Sequence, residues 1–391
     1  MREPDRSPAL HPAYAWPTFA AAVILSSLGA VVKYTHLPGL ILYLGAVALA
    51  LWLIRGHIYP WFVRHVPERY LPWLALLTYF GVLALFAVIY PIANAGIVGG
   101  GTDRDDALNL AVRELFHGRY PYYPRTYIGA VISPLPGSLL LAAPFVLLGN
   151  SAYQDLFWLV VFYIVTQRYL LGSGHSTLML SWTLLLLSPL LWQELVTGGD
   201  LLANAIYVYV FVLLAIAWNA PGRPTWQGLG AAALLGLGLA SRINYALVLV
   251  PVTATVVPRL GRRAALGRAA LALFVMAALI LPFYLYDPAG FTPLRTARLI
   301  DQFDKYLPLA GLLFATLMVA AALGLAFRRA SSDLPGLLYA CALPQAVPIL
   351  GGLLLFAAAG RFDNTFSVFL GYGFSFLFFT TAATWRQAVV K

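Results

Sequence analysis

Between residues 16 and 385 the chain returns about twelve times to an apolar run of the length a bilayer demands, and few folds tolerate that pattern. A hydrocarbon core of about 30 Å takes some 20 helical residues, and lipid offers the backbone no partners, so such runs must be helices. The runs fall near 16–32, 39–54, 72–93, 152–170, 176–192, 200–218, 227–241, 243–258, 269–286, 306–327, 334–359 and 364–385. Composition agrees: 61% of residues are apolar and 10% charged, and the mean hydropathy is +0.80. A soluble domain is about half apolar and about a quarter charged. The expected fold is therefore all-α, a polytopic membrane protein of about twelve transmembrane helices. It divides into residues 1–93, with a polar tail and three spans, a long loop at 94–150, and a helical bundle at 151–391.

Charge sets an expected orientation. The connection 259–268 carries Arg259, Arg262, Arg263 and Arg268 with no acid, and 55–71 carries Arg55, Arg64 and Arg69 against Glu68. Placing these ends, Arg328, Arg329, Arg386 and Lys391 in the cytoplasm puts fifteen of the 25 basic residues inside with four of the 15 acids. Both termini then lie inside. The net charge of +10 thus reads as membrane topology and not as a nucleic-acid surface. Residues 1–15 are polar and proline-rich, so no cleavable signal peptide is expected. The single cysteine, Cys341, sits in an apolar run as a packing residue and permits no internal disulfide or cysteine metal site. With six histidines, no zinc-ligand spacing occurs either.

On this topology Gly99–Gly149 lies on the outer face, the longest stretch that cannot sit in lipid. It opens with Asp103, Asp105 and Asp106, followed by an amphipathic pattern in which Ala107, Leu108, Ala111, Leu115 and Phe116 oppose Arg113, Glu114 and His117. Gly118 ends that helix, and Tyr120–Pro124 form a tyrosine-proline turn. The run 136–148 is too short to cross at 1.5 Å per residue. Two interfacial helices, 104–117 and 136–148, are the expected result. Other outer-face features are Glu194–Asp200, Arg242 with Asn244, the segment 287–305, and Arg361 with Asp363. Together they could line one water-facing cavity.

Asp103–Asp106 after an early span, the turn Gly118-Arg119-Tyr120-Pro121-Tyr122, and Ser133-Pro134-Leu135-Pro136-Gly137 leading to Leu147-Leu148-Gly149 carry a family likeness. In this order the stretch resembles the GT-C glycosyltransferases, in particular their bacterial polyprenyl-phosphate-mannose-dependent branch. The likeness covers the third span to about residue 258, with spans one and two as an N-terminal addition. It implies a first-loop acid as catalytic base, a sugar donor on a polyprenyl phosphate, and transfer on the extracytoplasmic face of a bacterial plasma (inner) membrane. The sugar would be mannose or another pentose or hexose. The acceptor would be a lipid-linked or cell-envelope glycan. No nucleic-acid partner and no cofactor is implied, and a divalent metal is possible without being required.

The chemistry fits the residues. A lipid phosphate is already a good leaving group, so the reaction needs a carboxylate to take the acceptor proton and cations to hold the departing phosphate. Asp103, Asp105 and Asp106 are the candidate bases; Arg242, Arg295, Arg298 and Lys305 are the candidate phosphate ligands. Tyr122, Tyr123, Arg125 and Asp200 are candidates for acceptor or sugar contacts. Each also has a purely structural use. Thr102 with Asp105, or Asp103 with Asp106, fits a capping box; Asp103 is preferred as base because it can stay outside the helix. Arg242 could snorkel, Arg295, Arg298 and Lys305 could pair with Asp287, Asp301 and Asp304, and the tyrosines suit an interface belt.

Two other classes compete. A multi-span transporter or flippase of lipid-linked substrates should show charges buried at mid-membrane and a repeat between halves. The charges here fall at span ends, and no second Asp-rich loop occurs. A lipid-linked ligase or polymerase would carry its large polar loop late in the chain, whereas this one follows the third span.

Overall fold

A computed structural model describes residues 12–95, 102–294, 298–327, 333–360 and 366–389. Arg295, Arg361 and Asp363 lie outside the described residues, and of Arg298 only the backbone is described. Every regular element among the described residues is helical, with one isolated antiparallel bridge, Arg125–Val131. The first part comprises α1 (Pro12–Leu53), α2 (Tyr59–His65) and α3 (Leu71–Asn94), then α4 (Arg104–Phe116) and α5 (Pro136–Leu147). The bundle continues with α6 (Tyr153–Thr166), α7 (Gly174–Leu187), α8 (Pro189–Thr197), α9 (Asp200–Ala217), α10 (Thr225–Leu239), α11 (Leu249–Leu260) and α12 (Arg262–Tyr286). It closes with α13 (Ala310–Phe327), α14 (Leu334–Ala359) and α15 (Phe366–Val389).

Eight helical stretches among the described residues are long and apolar enough to cross a membrane, so the chain is a multi-pass helical membrane protein. They are Tyr14–Val32, Pro38–His65, Glu68–Asn94, Asp200–Ala217, Ile243–Leu260, Arg262–Tyr286, Ala310–Phe327 and Leu334–Ala359. The expected span 176–192 is broken: α7 and α8 meet at 82°. Pro189 opens α8 without an N–H to continue α7, and the Ser188 hydroxyl caps the new helix by accepting from Leu191 N–H. The run at 152–170 is helical from Tyr153, with a π-helical turn, Gln167–Leu171, continuing α6, and the run at 227–241 forms a 15-residue helix shifted two residues early. The second stops at Leu239 because Arg242 is extended, with φ −151° and ψ 141°. The third span begins as expected, but 306–327 starts its helix only at Ala310.

Helix α1 supplies two spans by doubling back. The Tyr43 hydroxyl donates to the carbonyl of Val23 at 3.3 Å and to that of Leu187 at 2.8 Å. A straight helix would hold positions twenty residues apart about 30 Å from each other. Pro38 lies in the intervening stretch and lacks the N–H that would hold it straight.

Burial then ranks the helices. Asp200–Ala217 is 89% buried and apolar all round, so α9 is the central post of the bundle. α3 and α12 bury only 11% of their apolar windows and face outward. The loop 102–149 has its own core, built from Leu108, Ala111, Val112, Tyr122, Ile132 and Leu139, closed by Phe283 of α12 and by Phe291. This module is bound to the bundle at several places, including the following three. The Tyr120 hydroxyl donates to Phe283 O at 2.9 Å, and the Thr292 hydroxyl donates to Ile132 O at 2.5 Å. Gly137 N–H donates to Ala240 O at 2.9 Å at the end of α10. Gly137 is required there: a Cβ would stand 2.4 Å from the carbonyl oxygen of Leu237.

Candidate functional site

Asp105 in the first turn of α4 is the best-enclosed of the three candidate bases. Its Oδ2 accepts from the Tyr90 hydroxyl at 2.6 Å and from Asn94 Nδ2 at 3.1 Å, both at the end of α3. The Tyr90 hydroxyl in turn accepts from Asn150 Nδ2 at 2.6 Å. Burial pushes the Asp105 carboxyl above the usual carboxylate range, against the opposing pull of the Tyr90 hydroxyl. Gly198 holds this packing together. It has φ +69°, and a Cβ there would meet the Tyr90 ring and Ala152 at 2.7 Å.

The other two aspartates shape the loop. Asp103 is the N-cap residue of α4, but its side chain makes no cap bond; its Oδ2 accepts from the Thr126 hydroxyl at 2.6 Å. Asp106 Oδ2 accepts from Tyr127 N–H at 2.9 Å. A capping box would have turned these carboxylates onto α4, whereas they brace the turn at residues 126–130, where Thr126 N–H reaches Ala130 O. Arg125, at the start of that turn, is exposed.

Two ion pairs sit beneath. Arg104 Nη1 reaches both carboxylate oxygens of buried Glu194 at 2.7 and 2.8 Å. Arg242 Nη2 lies 2.8 and 2.7 Å from the two oxygens of Asp200, which also accepts from Asn204 Nδ2 at 3.0 Å. Two residues read from the sequence as contacting different substrates are thus partners of each other. Arg242 neither snorkels nor stands open, because Asp200 at the start of α9 holds its charge inside. Asp155 is fully buried nearby; its Oδ1 accepts from Ala203 N–H at 3.1 Å and its Oδ2 has no hydrogen-bond partner among the described residues. No group of three metal-ligating side chains occurs among the described residues.

The tyrosines divide. Tyr122 is 2% exposed, with its ring against Phe283 and Phe291, so it belongs to the module's core and offers no face to a sugar. Tyr123 and Tyr127 are exposed, and Tyr120 stacks on Tyr286 with centroids 5.1 Å apart. Lys305 is exposed, its ammonium 5.0 Å from the Tyr306 ring centroid.

The chain matches no family model, no curated protein and no solved structure.

The sequence did not single out Tyr90, Asn94, Asn150, Arg104 or Asp155, and it marked Glu194 as an outer-face acid that stands, with Asp200, behind the three aspartates as a base. Asp155 had a signal: it is an acid at the head of an apolar run, where a carboxylate needs a reason. Tyr90 and Asn94 carried none, since tyrosine and asparagine at a span end read as interface residues.

Proposed function

We propose that this protein is a membrane glycosyltransferase of the GT-C kind. It would move a sugar from a polyprenyl phosphate to an acceptor hydroxyl on the extracytoplasmic face. The observation that carries this reading is Asp105: a buried carboxyl, raised in basicity, set among a hydroxyl and two amides at the foot of a helix outside the spans. A base is most effective when its pKa approaches the working pH. Asp105 takes the proton of the acceptor hydroxyl as that oxygen bonds to the anomeric carbon. The bond from that carbon to the phosphate oxygen breaks, and polyprenyl phosphate leaves with its electron pair. Arg298, Lys305 and Arg295 remain the proposed phosphate ligands, joined by exposed Arg125 beside the Asp103–Thr126 contact. Exposed Tyr123 and Tyr127 suit a sugar face.

On this reading α4 and α5 lie in the outer interface. The bent pair α7–α8 together with α6, α10 and α15 would bring the eight crossings to about twelve. Buried Asp155, Glu194 and Asp200, with half-buried Arg242, favour a second reading, a flippase of lipid-linked substrates, since enclosed charges and broken helices mark translocation pathways. Proteoliposomes of purified protein supplied with polyprenyl-phosphate mannose, arabinose or glucose separate the two. Release of polyprenyl phosphate with a glycosylated product supports the transferase. Movement of intact donor across the bilayer without consumption supports the flippase and removes the transferase reading.

A further inference from the structure

The amides behind Asp105 are held in one direction. Asn150 Oδ1 accepts from Ala152 N–H at 3.0 Å and from Asn109 Nδ2 at 3.2 Å, and Asn109 Oδ1 accepts from Ser151 N–H at 2.8 Å. A backbone N–H can only donate, so neither amide can exchange its oxygen for its nitrogen without setting donor against donor. Asn150 therefore has only its Nδ2 to offer the Tyr90 hydroxyl, at 2.6 Å. A phenol carries one hydrogen, and with its oxygen accepting from Asn150 that hydrogen goes to Asp105 Oδ2, at 2.6 Å. Had Asn150 presented its oxygen instead, the phenol would donate to it and turn a lone pair on the carboxylate.

These bonds join three elements. Tyr90 stands in the last turns of α3, Asp105 and Asn109 are one turn apart on α4, and residues 150–152 connect α5 to α6. The Ser151 hydroxyl also donates to Asp105 O at 3.2 Å, so this connection fixes both the α4 backbone and the direction of the phenol. Of the other titratable groups, Asp103, Arg104 and Asp106 share the turn of Asp105, and Tyr127 faces it from the loop. Asp155, Glu194 and Asp200 cluster behind it on α6, α8 and α9. No side chain among these seven bonds to the Asp105 carboxylate, which leaves Tyr90 as its one titratable partner among the described residues.

We propose that Asn150 is a positioning residue for the base: braced by Asn109 and two backbone N–H groups, it turns the Tyr90 hydroxyl so that its hydrogen serves Asp105. What the base does rests on the transferase reading; how it is held does not.

Infrared difference titration of full-length protein in nanodiscs follows the C=O stretch of the protonated Asp105 carboxyl, assigned by its loss in Asp105→Asn, with no substrate present. Asn150→Leu keeps the bulk but donates nothing. It moves the midpoint to higher pH by roughly half a unit, about a quarter to a half of one hydrogen bond to a charged group. Asn150→Ala does the same and decides if the leucine variant fails to fold. Tyr90→Phe also raises the midpoint, and adding Asn150→Leu to it changes nothing further, because Asn150 acts through the phenol. An unmoved midpoint in folded Asn150 variants overturns the proposal. So does an equal further rise on the Tyr90→Phe background, which makes Asn150 a brace of the fold that reaches Asp105 by another route. Donor turnover is measured separately, and its acid limb moves in step with the band. Turnover with an unmoved band sinks the positioning role alone. A band that moves as expected in protein that turns over no donor keeps that role and sinks the transferase reading.

Discussion

At Asp105, Asp103 and Asp106 the chemistry turns on what each carboxylate already holds. Asp105→Asn keeps the shape but cannot take a proton, and general-base catalysis is worth about 10²–10⁴-fold, so transfer should fall by at least roughly a hundredfold. Asp103→Asn and Asp106→Asn should retain most activity, because an amide oxygen still accepts from Thr126 and from Tyr127 N–H. Turnover of the three variants with one verified donor decides; a large loss at Asp103 with a mild one at Asp105 moves the base. The carboxylate is the active form, so activity rises with pH through the Asp105 pKa, and burial places that limb above the ordinary value near about 4. Tyr90→Phe removes a donor that stabilises the carboxylate and should move the limb to still higher pH. A limb that stays put or moves to lower pH rules out Asp105. Deeper in, Asp200→Ala leaves half-buried Arg242 without its carboxylate partner and should destabilise by up to about 3 kcal/mol, less than breaking a fully buried pair. Thermal unfolding in detergent measures it, and replacing both partners by leucine should recover part of the loss. The sequence showed that three aspartates cluster after a span. It could not show that Asp103 turns to Thr126, because that bond joins residues 23 apart across a loop.

The elements were legible where one property governs them. Long apolar runs became helices, Gly118 at φ +69° ended α4, and Pro136 opened α5, because propensity and local sterics act within a few residues. Breaks inside apolar stretches were harder to read. Ser188–Pro189 interrupts a run, 176–192, that hydropathy alone joins, and the Ser188 hydroxyl receives the Leu191 N–H freed at the break; Arg242 instead falls at the boundary expected between 227–241 and 243–258. Close approach between elements is equally invisible along the chain until the elements are placed. Gly137 is the clearest instance, its Cα facing the backbone of Leu237 and Ala240. Gly137→Ala should force α5 away from α10 and cost about 1–3 kcal/mol, as other overpacked sites do. Gly118→Ala, with open space around it, meets only the strain of its positive φ. Limited proteolysis of the outer module should therefore accelerate in Gly137→Ala; unchanged digestion would mean the contact is dispensable.

For the whole molecule, charge asymmetry makes an orientation that can be tested directly. Single cysteines at positions 125 and 263, in a variant lacking Cys341, should react with an impermeant maleimide on intact cells at 125 only. Reaction at 263 alone inverts the protein and removes the site argument with it. The outer module also has a history written into its core. Its first helices end at Leu147, but the rings that close it, Phe283 and Phe291, arrive more than a hundred residues later. At about 5–20 residues per second, the ribosome delivers them roughly 7–30 s after the rest of the module. During that interval Asp105 and its neighbours sit on an unfinished scaffold, dependent on α12 being placed against it. Ribosome-arrested chains ending just before and well after residue 291 should differ sharply in protease resistance at residues 119–131; equal resistance would show that the module completes itself without α12. Insertion errors late in the chain would then disable a site encoded early in it.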